Sequence, residues 1–213
     1  MTEPVSFGRS QHHRPLARGL QRLLRLVLRV RVEGLENWRD VQGPALVIAN
    51  HVSFLDGILL AAIAPCPLMF GITPEFAERQ PWNAIFRLLR RGRLIDFRSI
   101  DPTTPHAIRC LMEHIRHGGW SALFPEGRVG NGIDPGPMFA GAGFIAERTG
   151  AVLLPVRISG AERCIFSRYP HRRHPWPRII MTVYPPARLS SVEGRTRNEQ
   201  RRHLSEQVER LLG

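Results

Sequence analysis

The sequence predicts a single α/β domain, and three observations carry that prediction. The first is length: 213 residues suffice for one domain with a sizeable core. The second is alternation. From Pro44 to Tyr184 short apolar runs of strand type alternate with segments of helical apolar spacing, the pattern of helices layered around a sheet. The third is balance. The chain is 43% hydrophobic and 23% charged, ordinary for a folded body and unlike a disordered one. No run reaches the roughly 18 apolar residues of a membrane span, which excludes a polytopic membrane protein. The longest greasy stretch, Gly57 to Ile72, is broken by Pro65 and Pro67.

Residues 1–15 are polar, with His12 and His13, and read as a flexible arm. Residues 16–31 read as a basic amphipathic helix. At 100° per residue Arg18, Arg22, Arg25 and Arg29 fall within a sector of about 60°, opposite Leu16, Leu20, Leu23, Val27 and Val30. Such a helix suits the interface of an anionic membrane; it equally suits a surface helix packing its leucines on the core. The remaining chain, 32–213, reads as the domain proper.

Within it, Ala45 to Ala49 is a strand, Phe54 to Ala64 a helix and Leu68 to Ile72 a strand. Pro81 to Arg90 is helical through Ile85, Leu88 and Leu89, and Leu94 to Phe97 a strand. Thr104 caps the next helix, with Pro105 at its first position, a stripe of Ile108, Leu111, Met112 and Ile115, and a stop at Gly118 and Gly119. Trp120 to Phe124 is a strand. Gly141 to Thr149 is a helix closed by Gly150, and Ala151 to Ile158 and Ile179 to Tyr184 are strands. Thr196 and Glu199 form a capping box ahead of Leu204, Val208 and Leu211. Cys164 to Arg178, rich in Arg, His and Pro, is a long surface loop.

The charge narrows the partners. Thirty basic residues, every one an arginine, stand against 18 acidic ones, giving +12 and a pI near 11.4. A field of that sign draws polyanions: nucleic acid, an anionic membrane or a phosphorylated substrate. No helix-turn-helix, RNA-recognition or zinc-finger signature is present, which weighs against nucleic acid. Cys66, Cys110 and Cys164 lie far apart without a C-x-x-C spacing, so they predict no zinc site and fit a reducing compartment. His12-His13 and His171-Arg172-Arg173-His174 lack a third ligand at useful spacing, so no metal is expected. Arginine interrupts every short apolar run near the N-terminus, so no signal peptide is expected. There is no G-x-S-x-G elbow, which counts against a serine hydrolase.

Two constellations carry chemistry. Asn50-His51-Val52-Ser53-Phe54-Leu55-Asp56-Gly57 directly follows a buried strand, where α/β proteins place their sites. A His oriented by a carboxylate is the minimum for general-base work. Five residues on a regular helix subtend about 140°, so the two meet only if His51 sits in the turn and Asp56 in the first helical turn. Phe124-Pro125-Glu126-Gly127-Arg128 also follows a strand. Gly127 permits a tight turn, and Arg128 can grip a phosphate in bidentate fashion; the alternative is a turn with a local Glu–Arg pair.

Together the motifs resemble those of the glycerolipid acyltransferases, which acylate lysophospholipids. Ile95-Asp96-Phe97-Arg98 resembles that family's second block. Gly141-Ala142-Gly143-Phe144-Ile145-Ala146 resembles the helix after its third, and Val152-Leu153-Leu154-Pro155-Val156 its fourth. The resemblance spans about Val32 to Pro186, and within the family it runs nearest to the acyltransferase half of the bifunctional 2-acylglycerophosphoethanolamine acyltransferase/acyl-carrier-protein synthetases. Val129-Gly130-Asn131-Gly132, Thr73-Pro74-Glu75 and Phe139-Ala140 depart from the common pattern, and they bear on head group more than on chemistry.

The resemblance implies a mixed sheet flanked by helices, the glycerolipid acyltransferase-type fold. It implies His51 as general base and Asp56 as its orienting acid, with Glu126, Gly127, Arg128 and Arg98 on the glycerophosphate and Pro155 in the acyl-donor region. No cofactor is expected beyond acyl-CoA or acyl carrier protein as co-substrate. The expected partners are a lysophospholipid, lysophosphatidate or lysophosphatidylethanolamine, and an anionic membrane on whose cytoplasmic side the chain sits peripherally. A basic nucleic-acid-binding protein and a non-catalytic lipid-binding relative are the competing readings.

Overall fold

The structure, a computed structural model, describes residues 15–72, 74–99, 104–130, 141–168, 174–189 and 197–212, and among these the side chains of all but 16, 74, 96–99, 197, 198, 200, 201 and 204. The elements in chain order are α1 (Pro15–Val27), β1 (Val30–Glu33), β2 (Ala45–Ala49), α2 (Asp56–Ile63), β3 (Leu68–Ile72), α3 (Pro74–Glu78), α4 (Trp82–Arg91), β4 (Ile95–Ser99), α5 (Pro105–Arg116), β5 (Trp120–Leu123), α6 (Gly141–Thr149), β6 (Val152–Ser159), β7 (Ile179–Val183) and α7 (Arg197–Leu212). Single 3-10 turns lie at Leu35–Trp38 and Ala161–Arg163.

Among the described residues seven strands form one sheet, ordered β1-β7-β6-β2-β5-β3-β4. Only the β6–β7 pairing is antiparallel; β1 runs with β7, and the other five strands run together. The sheet is therefore mixed, as expected. β2 lies in its middle and is buried along its whole length, which explains why its sequence is a continuous apolar run instead of an alternation. Successive side chains point to opposite faces. Ala45, Val47 and Ala49 join the core formed with α1, α2 and α4; Leu46 and Ile48 join the one formed with α5, α6 and α7.

The helix predicted from Thr104 forms as read: Thr104 Oγ1 accepts the Ala107 N–H at 3.3 Å, with Pro105 at the first position. The N-terminal reading needs correction. The helix predicted over 16–31 stops at Val27, and the β-branched Val30 and Val32 alternate into β1 beside β7. The boundary predicted before residue 32 falls inside that strand. The face of α1 that packs inward is also not the predicted one. Ala17 and Gln21 are buried, with Leu20, Leu24 and Leu28 beside them. Gln21 Nε2 donates to the Ala61 and Ala64 carbonyls at 2.8 and 2.7 Å, which satisfies the end of α2. A polar residue thus anchors the helix, which an apolar count misses. The arm over 1–14, Thr196 of the capping box, and His12, His13 and His171 lie outside the described residues.

Candidate active site

β2 and β5 are parallel neighbours, paired Ala45↔Trp120 through Ile48↔Leu123. Their carboxyl ends therefore open at one edge of the sheet, and the two constellations that follow them arrive side by side. After β2 the chain turns over Asn50 to Leu55 and enters α2 at Asp56. This is the geometry in which a five-residue spacing brings imidazole and carboxylate together: His51 Nδ1 lies 2.8 Å from Asp56 Oδ2. The same oxygen accepts the backbone N–H groups of Val52 at 2.6 Å and Ser53 at 2.8 Å. Asp56 is fully buried, and burial pushes its carboxyl above the ordinary 3.8, opposed by His51 and by the two backbone donors. With the carboxylate accepting at Nδ1, the neutral ring carries its proton there and presents a lone pair at Nε2. The ring also stacks on Phe124, with centroids 4.2 Å apart and planes 16° from parallel.

The segment after β5 grips the same turn. Glu126 is buried, and its Oε1 accepts the His51 backbone N–H at 3.2 Å. The Gly130 N–H donates to the His51 carbonyl. A side chain at Gly130 would bring its Cβ to 2.8 Å from Glu126 Oε2 and 3.3 Å from the His51 carbonyl oxygen, so anything larger than glycine there makes the Glu126 carboxylate give way. Gly127 has φ of 63°, the left-handed region that favours glycine.

Beside His51 lies a cavity of about 700 Å³, within the roughly 300–1,000 Å³ of small-molecule sites. Ile58 of α2, Phe70 of β3, Phe86 and Leu89 of α4 and Ile95 of β4 make most of it apolar, and Gly127 and Arg128 reach it with Arg168. Phe76 of α3 joins that wall within an aromatic cluster, 5.2 Å from Phe54 and 5.0 Å from Trp82.

Of the residues expected at the site, His51, Asp56, Gly127 and Arg128 come together. Glu126 holds the His51 backbone and is not among the cavity-lining residues. Pro155 is buried in β6 opposite Ile48, also away from the cavity wall. Arg98 stands in β4 opposite Gly71, a cavity residue; its side chain is outside the described set. Sequence reasoning did not find the segment after β6. The Phe54 N–H donates to the Phe166 carbonyl at 3.2 Å. Ser53 Oγ lies 3.1 Å from Cys164 Sγ, and Ser167 Oγ donates to the Val52 carbonyl at 3.4 Å. These contacts cross more than a hundred residues of chain and leave no local pattern to read.

Comparison with known proteins identifies the family and the fold. Residues 29–159 match the family model described as Acyltransferase. A chloroplastic 1-acyl-sn-glycerol-3-phosphate acyltransferase of Brassica napus is 27% identical over 132 residues, 61% of this chain and 37% of that protein. A second, of Arabidopsis thaliana, is 27% identical over 135 residues, 62% of this chain and 36% of that one. The chain thus spans little more than a third of the length of these relatives. The crystal structure of the 1-acyl-sn-glycerophosphate acyltransferase PlsC from Thermotoga maritima has a TM-score of 0.64 at 22% identity, over 92% of this chain and 76% of that one, and it shares the fold. Because the family match covers more than half of the sequence and includes both constellations that meet at the sheet edge, this chain belongs to the acyltransferase family.

Proposed function

We propose that the chain transfers a fatty acyl group from an acyl thioester, acyl-CoA or acyl carrier protein, to the free hydroxyl of a lysophospholipid. The observation that carries this is the 2.8 Å His51–Asp56 pair beside an apolar cavity that also holds arginines. The names of the relatives specify 1-acyl-sn-glycerol-3-phosphate, which favours lysophosphatidate over lysophosphatidylethanolamine.

His51 Nε2 takes the proton of the acceptor hydroxyl as its oxygen attacks the thioester carbonyl. Asp56, held as an acceptor by two backbone N–H groups, stabilises the imidazolium that forms. The tetrahedral adduct collapses, the carbon–sulfur bond breaks, and the departing thiolate takes the proton back from Nε2. The ester and a free thiol result, and His51 is regenerated. The apolar cavity suits an acyl chain, since each buried methylene contributes roughly 0.8 kcal/mol. Arg128 supplies charge-assisted hydrogen bonds for the acceptor's phosphate.

The test is purified protein with a panel of lysolipids and both donor types, the product identified by mass. Phosphatidate from lysophosphatidate is expected. Absence of acylated product with every pairing would overturn the reading.

The docking surface we infer is the outer side of α1. Arg18, Arg22 and Arg29 are exposed there with Arg25 partly so, and next to them Leu23, Leu26 and Val27 are 54, 76 and 45% exposed. Trp176, itself 54% exposed, donates its indole N–H to the Val27 carbonyl. A greasy strip beside an arginine strip fits an anionic bilayer better than a duplex, which has no use for the leucines. Among the described residues no helix is long and apolar enough to cross a membrane, so attachment is at the interface. Replacing Arg18, Arg22, Arg25 and Arg29 by Gln should lower the partition constant onto vesicles rich in anionic lipid by up to about a thousandfold, at about 1 kcal/mol per charge near the surface, and co-sedimentation should fall with it. Equal co-sedimentation would remove α1 from the interface, and tighter binding to duplex DNA than to vesicles at matched salt would favour the nucleic-acid reading.

A further inference from the structure

Among the described residues that line the cavity, three bear ionisable side chains: His51, Arg128 and Arg168. None is a carboxylate. Both arginines are exposed as well as cavity-lining, so each borders both the cavity and solvent.

Arg168 is not an arbitrary member of an arginine-rich surface, because the three-dimensional contacts of its neighbours fix its place relative to the base. Ser167 bonds the Val52 carbonyl, Phe166 accepts from Phe54, and Cys164 meets Ser53. The Ser167 N–H closes on the Cys164 carbonyl at 3.0 Å, and the Phe166 ring packs edge-on against Trp82 with centroids 5.4 Å apart. Val52 and Ser53 are the residues whose backbone N–H groups hold Asp56. The turn that orients His51 and the segment that delivers Arg168 are thus one hydrogen-bonded body.

The charge count then distinguishes acceptors. A phosphate monoester carries about −1.5 to −2 at neutral pH and a phosphodiester about −1, so a second guanidinium at the cavity adds more to binding of the first than of the second. A phosphoethanolamine head group carries a single negative charge and an ammonium, and a second guanidinium repels that ammonium. Resting on the acyl-transfer reading above, we propose that Arg168 is a specificity-determining residue that binds the acceptor's phosphate together with Arg128, and that the pair selects a phosphate monoester over a zwitterionic phosphodiester.

The test is calorimetric binding of short-chain lysophosphatidate, below its micelle concentration and at 0.15 M salt, to the full chain and to Arg168→Gln, Arg168→Lys and Arg163→Gln. Lysophosphatidylethanolamine of the same tail is titrated in parallel. Arg163 sits on the same loop, is exposed and does not line the cavity, so it controls for the loss of one charge. Arg168→Gln should weaken lysophosphatidate about tenfold or more, the scale of a lost charge-assisted contact. It should weaken lysophosphatidylethanolamine about threefold or less. Arg168→Lys should recover part of the loss, and Arg163→Gln should stay within about twofold. In transfer assays Arg168→Gln should raise the KM for lysophosphatidate and leave that for the thioester unchanged. Equal losses for both lipids, no loss for either, or an equal loss in Arg163→Gln would overturn the proposal. If the wild-type chain transfers no acyl group yet binds lysophosphatidate through Arg168, the acyl-transfer reading falls and the phosphate site stands.

Discussion

Two strand ends meet at this site and are held there by opposite means. The imidazole–carboxylate pair after β2 is set by its own stretch of chain: the bonds that Asp56 makes to His51, Val52 and Ser53 span five, four and three residues. The segment after β6 is fixed from far away: Cys164, Phe166 and Ser167 reach Ser53 and Val52 across 111, 113 and 115 residues. The first encodes the reacting group and its orientation in a stretch of eight residues. The second places a cation whose position no short stretch encodes. On the proposed reading, chemistry is a local property of the sequence and selection of the substrate a property of the fold.

The sharpest way to test the local half is at the pair itself. His51→Ala should leave a folded protein, since the ring is partly exposed and packs mainly on Phe124, yet lower transfer by roughly 10²- to 10⁴-fold. Near-wild-type turnover would take His51 out of the mechanism. Asp56→Asn should cost a comparable factor for a different reason. The amide oxygen that stands in for Oδ2 still accepts from Nδ1 and from the Val52 and Ser53 N–H groups, but the negative charge that stabilises the imidazolium is lost. The same variant should be more stable than wild type at neutral pH. The Asp56 carboxyl is raised by burial, so ionising it in the folded state carries a cost that is present above its folded pKa. That cost fades as pH falls through the raised pKa toward 3.8. The melting-temperature gap between Asp56→Asn and wild type should therefore be largest near pH 7 and shrink as the pH is lowered. A gap that grew on acidification would reverse the sign of the argument.

Gly130→Ala tests how tightly the β5 segment clasps the turn. The added methyl meets Glu126 Oε2 and the His51 carbonyl, and the strain of overpacking is about 1–3 kcal/mol. If Glu126 shifts to relieve it, the His51 backbone loses an acceptor and kcat should drop about tenfold while both KM values hold. An unchanged kcat with a lowered melting temperature would make Glu126 a brace for the fold alone.

The contrast between the two strand ends also marks what the sequence made legible. Whereas the five-residue spacing allowed a His51–Asp56 meeting only across a turn and the resemblance implied it, the alternation of elements and the buried strand followed from patterns within a dozen residues. The Thr104 cap did too, because caps and turns are local chemistry. The inward face of α1 did not, because Gln21 is buried only by virtue of the α2 carbonyls it satisfies. Nor did the bond from the His51 N–H to Glu126, which crosses 75 residues; the resemblance implied a glycerophosphate contact for Glu126, and its buried carboxylate also clasps the His51 backbone. Arg168 was hidden in a stretch that reads as solvent-exposed loop. It is exposed, and only the crossing of the Cys164–Ser167 segment over the catalytic turn brings it to the cavity wall.

The smallest effect belongs to the joint between the two regions. Ser53 is fully buried. Its Oγ accepts the Leu55 N–H at 3.1 Å, and on its other side it meets Cys164. Its backbone N–H, which holds Asp56, survives in Ser53→Ala. The substitution therefore removes the hydroxyl's share of the link to the segment after β6, leaves the Phe54–Phe166 and Ser167–Val52 bonds, and keeps the carboxylate's local bonds in place. A hydrogen bond of this kind contributes about 0.5–1.5 kcal/mol. We expect the KM for lysophosphatidate to rise about two- to tenfold as Arg168 loses its fixed offset, with kcat within about threefold of wild type and the thioester KM unchanged. Should kcat instead fall as far as in Asp56→Asn, the local bonds would be insufficient to orient His51, and the catalytic turn would owe its geometry to the distant segment.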